Sequence, residues 1–281
     1  MAELILEVLP LAIVASTPLL LAVQGELVVQ RGGMINLGLE GMMLVAALTS
    51  ILSARASESA LLGFAGGIAG AALIALVFGV FAIHLHADQI VTGTAINLLA
   101  VGATSFVYRE LPPSLVTQLV AIQGSTAIVP LAWLVFPIVL AIVLWRTSFG
   151  LRLRACGENP SAVVAAGHSV VAHRWLALGI ESIAAGLAGG YLSLAYSGFA
   201  ENMTTGRGFF ALSIVIFGRW KLRGALAGTA LFGIAAALQY ALQASARDVP
   251  YHLLLAMPYV VTLLILCGVA GKVRPPESLG R

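Results

Sequence analysis

The residues best suited to bind a solute lie in a polar segment beside an apolar run, GGMINLGLEG at positions 32 to 41. Asn36 and Glu40 are four residues apart in it, one turn of a helix. An acid at membrane depth costs roughly 2.5 to 3.5 kcal/mol, so Glu40 is expected to face protein or water. Two interpretations stay open: Glu40 contacts a substrate, or it caps backbone groups where the paired glycines break a helix.

A second polar cluster occupies HLHADQIVTGTAINLLA at positions 84 to 100. Gln89, Gly93 and Asn97 recur every four residues and therefore share one helix face, with Thr92 less well aligned. An amide stripe of this kind hydrogen-bonds either a polar ligand or a neighbouring helix. His84, His86 and Asp88 superficially resemble metal ligands at i, i+2 and i+4, but a helix places i and i+2 on different faces, and we predict no metal site.

Catalysis is not indicated anywhere in the sequence. Glu181 lies about two turns into an apolar run, and no acid, serine or histidine forms a recognisable nucleophile-and-base arrangement. No GxxxxGK[ST] loop occurs, because Gly271-Lys272 is followed by Val273. We therefore predict no catalytic residue, no enzymatic activity and no cofactor in this chain.

Composition indicates a membrane protein. Hydrophobic residues make up 60% of the 281 residues and charged residues 10%, whereas soluble domains carry roughly 25% charged residues. The N-terminal segment lacks the basic start of a cleavable signal peptide. We predict an all-α polytopic fold in a single domain, 1–281, with nine spans and a range of eight to ten. The apolar runs are 8–24, 34–54, 59–83, 89–108, 127–145, 175–197, 207–218, 224–244 and 251–270.

The basic residues predict an orientation, because loops on the cytoplasmic side are enriched in Lys and Arg. With nine spans, eleven of the 15 cations fall on the side of the loop 146–174, and Arg55, Arg109, Arg207 and Arg247 fall on the other. We predict the N-terminus outside and the C-terminus in the cytoplasm. Orientation explains the net charge of +3 better than nucleic-acid binding does.

Small residues crowd the predicted spans. The pairs Gly66/Gly70, Gly186/Gly190 and Gly224/Gly228 have GxxxG spacing, which favours close helix packing. A weak internal repeat relates positions 28–48 to 216–236, since both place Arg and Gly before a Gly-rich span. Repeated halves are common in transporters, which bind substrate where the halves meet.

The loop 146–174 contains one predicted short helix. Glu158 or Asn159 is suited to cap its start, Pro160 to occupy its first position and Gly167 to end it. Gly157 is interpreted as a helix breaker before it. An ordinary loop between spans remains the alternative.

Four sequence blocks resemble the permease subunits of bacterial ABC importers of the nucleoside and simple-sugar type, which work with basic-membrane-lipoprotein binding proteins. They are GGMINLGLEGMMLVAA at 32–47, ADQIVTGTAINLLAVG at 87–102, RACGENPSAVVAAGHSV at 154–170 and GRGFFALSIVIFGRWKLRGALAGTALFG at 206–233. The first and third blocks also occur, in looser form, in branched-chain amino-acid and ribose permeases. The second is more typical of the nucleoside branch.

This resemblance implies a multi-pass protein of the bacterial inner membrane that moves a nucleoside or related solute inward by alternating access. Implied partners are a second permease subunit, an extracytoplasmic binding protein, membrane lipid and a cytoplasmic ATPase that binds ATP and Mg²⁺. The implied coupling helix covers about 158–169. Its candidate residues are Glu158, Asn159, Pro160, Ala165 and Gly167.

Asn36, Glu40, Gln89, Thr92 and Asn97 become candidates for the substrate pathway, because they are polar groups in the blocks most typical of the branch. A secondary transporter or channel is the alternative function, and it would not need a coupling loop.

Overall fold

The protein is an α-helical bundle in the computed structural model, which describes residues 2–112, 125–195, 198–245, 260 and 274–280. Two wide π-helical turns modify the bundle: Val80–His84 extends the third helix, and Leu131–Val135 lies within the fifth. The helices are α1 (Ala2–Arg31), α2 (Leu39–Ser57), α3 (Ala60–Gly79), α4 (Gln89–Glu110), α5 (Ile128–Arg146), α6 (Ser148–Glu158), α7 (Pro160–Ala165), α8 (Val170–Ala195), α9 (Arg207–Phe217) and α10 (Leu222–Ser245).

Seven helices in the described part of the chain are long and apolar enough to cross a membrane. They belong to α1, α2, α3, α4, α5, α8 and α10. The run 207–218 forms α9, whose 11 residues extend only about 16 Å and are too few to cross a membrane. The ninth run, 251–270, lies outside the described residues except for Val260. The prediction of nine spans is therefore not confirmed, and the described residues contain seven.

Several predicted span boundaries differ from the structure by five residues or more, including the two between α1 and α2. The first span was expected to end at 24, but α1 continues to Arg31 and buries Glu26 and Gln30 completely. The second was expected to begin at 34, but α2 begins at Leu39. Hydropathy ends the first span too early because it counts buried polar side chains such as Glu26 as a helix end. It begins the second too early because the apolar residues Met34 and Ile35 lie in irregular backbone.

The core consists of α1, α2, α3 and α8, whose close approach depends on glycines. A Cβ at Gly186 of α8 would collide with the backbone of Ile68 in α3, and one at Gly67 would lie 2.9 Å from the Gly186 carbonyl oxygen. Gly66 and Gly70 meet side chains of α2 in the same way. The predicted packing role of the GxxxG pairs is confirmed here.

The helices α4 and α5 form the periphery. Only 28% of the apolar window of each is buried, against 83% for α1. Their outward side chains include Leu98, Phe106 and Leu134, each more than 60% exposed. Large apolar side chains at this exposure need lipid or another subunit around them, as expected for a membrane protein.

The segment between α5 and α8 holds more helix than the sequence analysis predicted. Residues 148–158 form α6, although Gly157 was interpreted as a breaker, and Thr147 caps α6 by accepting a hydrogen bond from Gly150 N. The short helix α7 follows directly. Gly157 lies against the Arg31 carbonyl oxygen, where a Cβ would not fit, so this glycine permits close packing rather than ending the helix early.

Candidate functional site

The candidate site is built around residues 32–38, which we call the broken segment because they join α1 to α2 without helical structure. Five of the seven residues are buried and the other two are partly buried. Irregular backbone at membrane depth is tolerated only where protein surrounds it or where it lines a cavity. The segment's N–H and C=O groups therefore need partners from elsewhere in the bundle.

One face of α4 supplies several of those partners. Gln89 Oε1 accepts a 2.7 Å hydrogen bond from Ile35 N. Asn97 Oδ1 accepts from Gly41 N at 2.8 Å, and Asn97 Nδ2 donates to the Leu37 carbonyl oxygen at 2.7 Å. Gln89 and Asn97 are eight residues, or about 12 Å, apart along α4. The broken segment therefore runs alongside α4 toward the start of α2.

Between these two amides, Gly93 allows the backbones to touch. A Cβ at Gly93 would lie 2.6 Å from Gly38 N. The predicted shared face of Gln89, Gly93 and Asn97 is confirmed. Thr92 is also buried on α4, with a side chain 9% exposed. Asp88 caps the helix start by accepting from Ile90 N and Val91 N.

Glu40 joins the start of α2 to the start of α9. Its Oε1 accepts from Gly206 N at 2.7 Å, and its Oε2 accepts from Gly208 N at 2.6 Å. A carboxylate at a helix N-terminus is favoured because the free N–H groups there carry partial positive charge. Glu40 therefore caps backbone groups, but these belong to α9 and do not lie beside the paired glycines, where the sequence interpretation places them.

A buried acidic pair lies beneath the broken segment, and sequence reasoning found only half of it. Asn36 Nδ2 donates to Glu181 Oε2 at 2.7 Å, and Asn36 Oδ1 accepts from Gly38 N. Glu181 of α8 faces Glu26 of α1, and both carboxyl groups are fully buried. Two carboxylates in contact repel each other unless a proton or cation lies between them.

Glu26 continues this network to the second half of the chain. Gln30 Nε2 donates to Glu26 Oε1 at 2.7 Å, and Gln30 Oε1 accepts from the indole N–H of Trp220 at 2.6 Å. Glu26 was missed because the first predicted span ends at residue 24, two residues before it. Its four-residue spacing to Gln30 is the sequence signal that marks a shared helix face.

The predicted coupling residues lie together in and around α7. Asn159 Oδ1 caps α7 by accepting from Ala162 N at 3.1 Å, and Pro160 occupies the first helical position. α7 ends at Ala165, and Gly167 has a φ of +77°. Glu158 is the last residue of α6. The expected cap, start and stop of the short helix are therefore observed; its coupling role remains a prediction.

A C-terminal tail, residues 274–280, connects α6 to the broken segment. Ser278 Oγ donates to the carbonyl oxygens of Cys156 and Gly157 at 2.9 and 2.7 Å, and Gly280 N donates to the Gly33 oxygen at 3.1 Å. Burial raises the pKa of the Cys156 thiol, which keeps it protonated and unreactive.

Residues expected on the same side of the membrane do meet. Arg31 Nε donates to the Trp220 carbonyl oxygen at 2.8 Å, and Arg109 forms an ion pair with Glu201 at 3.0 Å on the opposite side. Which side faces the cytoplasm remains a prediction. The internal repeat also remains a prediction. Residues 28–48 contain the broken segment, whereas residues 216–236 contain only a turn at 218–221.

Comparison with known proteins decides the family. Residues 8–269 match the family described as "Branched-chain amino acid transport system / permease component". The chain belongs to this permease family. The expected membrane permease is therefore confirmed, and the broken segment, α7 and the tail are parts of a transport subunit.

Relatives of this permease carry more specific names. It is 32% identical to the guanosine ABC transporter permease protein NupQ of Bacillus subtilis, over 97% of the chain and 95% of that protein. It is 30% identical to the nucleoside ABC transporter permease protein NupC of Lactococcus lactis, over 95% and 93%. The putative glucose ABC transporter permease protein TsgC13 of Haloferax volcanii is 37% identical over 80% and 74%. No solved structure matches the chain.

Proposed function

We propose that this permease is a transmembrane subunit of an ABC importer that carries nucleosides into the cell. The observation that carries the proposal is the near full-length similarity to permeases named for guanosine and for nucleosides. Relatives named as ABC transporter permeases favour this function over the secondary transporter or channel considered from the sequence. Energy then comes from ATP and Mg²⁺ bound by a separate ATPase.

The proposed substrate pathway runs beside the broken segment. Discontinuous helices form the substrate sites of many transporters, because their free backbone groups are available to bind polar solutes. Asn36, Gln89 and Asn97 hold this backbone in place through the hydrogen bonds described above. Glu40 ties the start of α2 to α9, and Thr92 lies on the same stretch of α4. We assign these residues the role of shaping the pathway wall. In the stronger form of this assignment, their side chains also contact the nucleobase or ribose directly.

The proposed coupling site is the exposed face of α7. Val164 is 62% exposed, and its neighbours Ala162 and Ala165 are also exposed, so α7 presents small apolar side chains. Such a surface fits a groove in a partner protein. An ATPase that moves α7 also moves α6, whose end contacts Arg31 and, through the tail, Gly33. This chain of contacts joins the docking surface to the broken segment.

The remaining assignments follow from the importer proposal. The partners are a second permease subunit, a cytoplasmic ATPase and an extracytoplasmic binding protein that delivers the solute. The bacterial inner membrane holds the complex, with the N-terminus outside and the C-terminus in the cytoplasm. Alternating access then needs no covalent chemistry on the substrate.

Uptake in proteoliposomes tests the proposal. The permease is reconstituted with its partner subunits, and entry of radiolabelled guanosine, adenosine, uridine and glucose is measured with ATP inside the vesicles. ATP-dependent nucleoside uptake, competed by unlabelled nucleosides and not by glucose, is the expected result. Uptake without any ATPase subunit, or no nucleoside uptake by an intact complex, would contradict it.

Sugar transport is the second candidate, because the relative named as a putative glucose permease has the higher identity over a shorter match. The same assay separates the two candidates. Uptake of glucose that nucleosides do not inhibit would replace the nucleoside assignment while leaving the importer assignment intact.

A further inference from the structure

A basic groove lies where three membrane-spanning helices end. Its volume is about 510 Å³, and its residues come from the end of α1, the last turns of α5 and the start of α10 with the turn before it. Arg31 directly precedes the broken segment, but no residue of that segment lines the groove. The lining residues are Arg31, Ala141, Ile142, Trp145, Arg146, Lys221, Leu222 and Arg223.

The charges in this groove all have one sign. Four of its eight lining residues are cations and none is an acid. Arg146, Lys221 and Arg223 are exposed, whereas Arg31 is partly buried and anchored by its bond to the Trp220 carbonyl oxygen. The acid that acts on Arg31 electrostatically is Glu158, which is outside the lining. Because four cations line one groove with no acid among the lining residues, an anion bound in the groove lowers the energy of the site.

The position of the groove places it at the membrane surface. Arg31 and Arg146 are the last residues of their spans, and Leu222 is the first residue of another. Trp145 is 38% exposed and Ile142 51% exposed, so the wall on the α5 side is apolar. Tryptophan at a span end is typical of the level where lipid headgroups meet acyl chains.

We propose that this groove binds the headgroup of an anionic phospholipid. The cations from α1, α5 and the start of α10 hold the phosphate, and the acyl chains follow Ile142 and Trp145 along α5. Basic pockets between spans are known to bind lipids with one or two phosphates in this way. A soluble anion would use the cations but gain nothing from the apolar wall.

The lipid would join the end of α5 to the turn before α10. Farther along its length α5 already bonds α1 directly, since Gln24 Nε2 donates to the Ala132 carbonyl oxygen. α5 is peripheral and mostly exposed, while α1 belongs to the core. A headgroup that bridges Arg146 to Lys221 and Arg223 fixes the end of α5 against the turn before α10. We therefore expect anionic lipid to raise the thermal stability of the complex as well as to bind it.

The test uses the assembled transporter in nanodiscs of phosphatidylcholine with increasing cardiolipin. Bound lipid is counted by native mass spectrometry, and the unfolding midpoint is recorded in parallel. The triple variant Arg146→Gln/Lys221→Gln/Arg223→Gln should bind cardiolipin roughly a hundred-fold more weakly, because each cation near an anionic headgroup contributes about a five-fold gain. Its midpoint should no longer rise with cardiolipin.

Two controls make the result specific. Arg274→Gln removes an exposed cation in the C-terminal tail, outside the groove, and should bind lipid as the wild type does. Arg146→Lys/Arg223→Lys keeps the charge and should retain most of the affinity. Excess inorganic phosphate should not displace the lipid, since it lacks acyl chains.

Three outcomes would overturn the proposal. They are equal binding of cardiolipin and phosphatidylcholine by the wild type, unchanged lipid binding by the triple variant, and displacement of lipid by inorganic phosphate alone. Loss of the ATPase subunit from the triple variant, with lipid binding retained, would assign the groove to a protein contact instead. Nucleoside uptake is measured separately, so a failed lipid site does not bear on the importer proposal.

Discussion

The broken segment and α7 both depart from the long helices of the bundle, but they are held in opposite ways. Hydrogen bonds from side chains of α4, far away in sequence, fix the broken segment inside the protein. α7 is fixed by its own cap at Asn159 and its first residue Pro160, and it remains exposed. The first region is therefore coupled to the stability of the whole bundle, whereas the second is a locally formed surface free to bind a partner.

The largest effect is expected for Asn97→Ala. It leaves Leu37 C=O and Gly41 N–H buried without partners, which costs about 2 to 4 kcal/mol in total. Nucleoside uptake and the unfolding midpoint should both fall sharply. Thr94→Ala is the matched control on the same helix, because its hydroxyl bonds only the local Ile90 oxygen. Wild-type uptake by Asn97→Ala would refute the link between the broken segment and transport.

A somewhat smaller effect is expected for Glu40→Gln. The amide keeps one acceptor oxygen but turns an NH₂ group toward the N–H of Gly206 or Gly208, which costs about 1 to 3 kcal/mol. The unfolding midpoint and the uptake rate of the purified complex measure this loss of stability and its effect on transport. Glu40→Asp separates charge from reach, since it retains the carboxylate on a shorter side chain. An unchanged midpoint in both variants would show that the cap at α9 contributes little.

Val164→Asp should leave stability unchanged and remove coupling, because Val164 is 62% exposed on α7. Co-purification of the ATPase should fall about ten-fold, as for loss of a central interface residue. Leu151→Asp on α6 is the control, with the same 62% exposure.

Replacement of Glu158 or Pro160 should likewise weaken ATPase association or uncouple hydrolysis from uptake. Normal coupling in these α7 variants would remove α7 from the ATPase interface.

The smallest effect is expected for Asn159→Ala, which removes only the local cap of α7. Such caps contribute about 1 kcal/mol to the helix they begin. The bundle should unfold at the wild-type temperature, while the ratio of ATP hydrolysed to nucleoside transported rises slightly. Asn159→Asp retains a cap and should behave as the wild type. A lowered unfolding midpoint for Asn159→Ala would mean that α7 is less independent than its contacts indicate.

The sequence predicted those features that depend on neighbours along the chain. Spacing alone placed Gln89, Gly93 and Asn97 on one face, and the cap, proline and glycine around 159–167 marked a short helix. The membrane-protein class followed from composition. These predictions succeed because helix periodicity and capping are local properties.

Features that depend on contacts between distant segments were not predictable. Gly157 was read as a breaker because nothing in the sequence shows that it packs against Arg31. Glu26 was overlooked because its partner Glu181 is on another helix. The structural partners of Glu40, the N–H groups of Gly206 and Gly208, are likewise remote. In each case the missing information was which helix lies next to which.

The contact between Ser278 and Gly157 joins parts of the chain that the ribosome makes far apart in time. α1, the broken segment and α6 are all inserted before Ser278 is synthesised. Until then the carbonyl groups of Gly33 and Gly157 lack these partners. The tail therefore closes the α6 end of the bundle only after the helices that form that end have been made, and a polypeptide released before Ser278 would leave that end open to proteases.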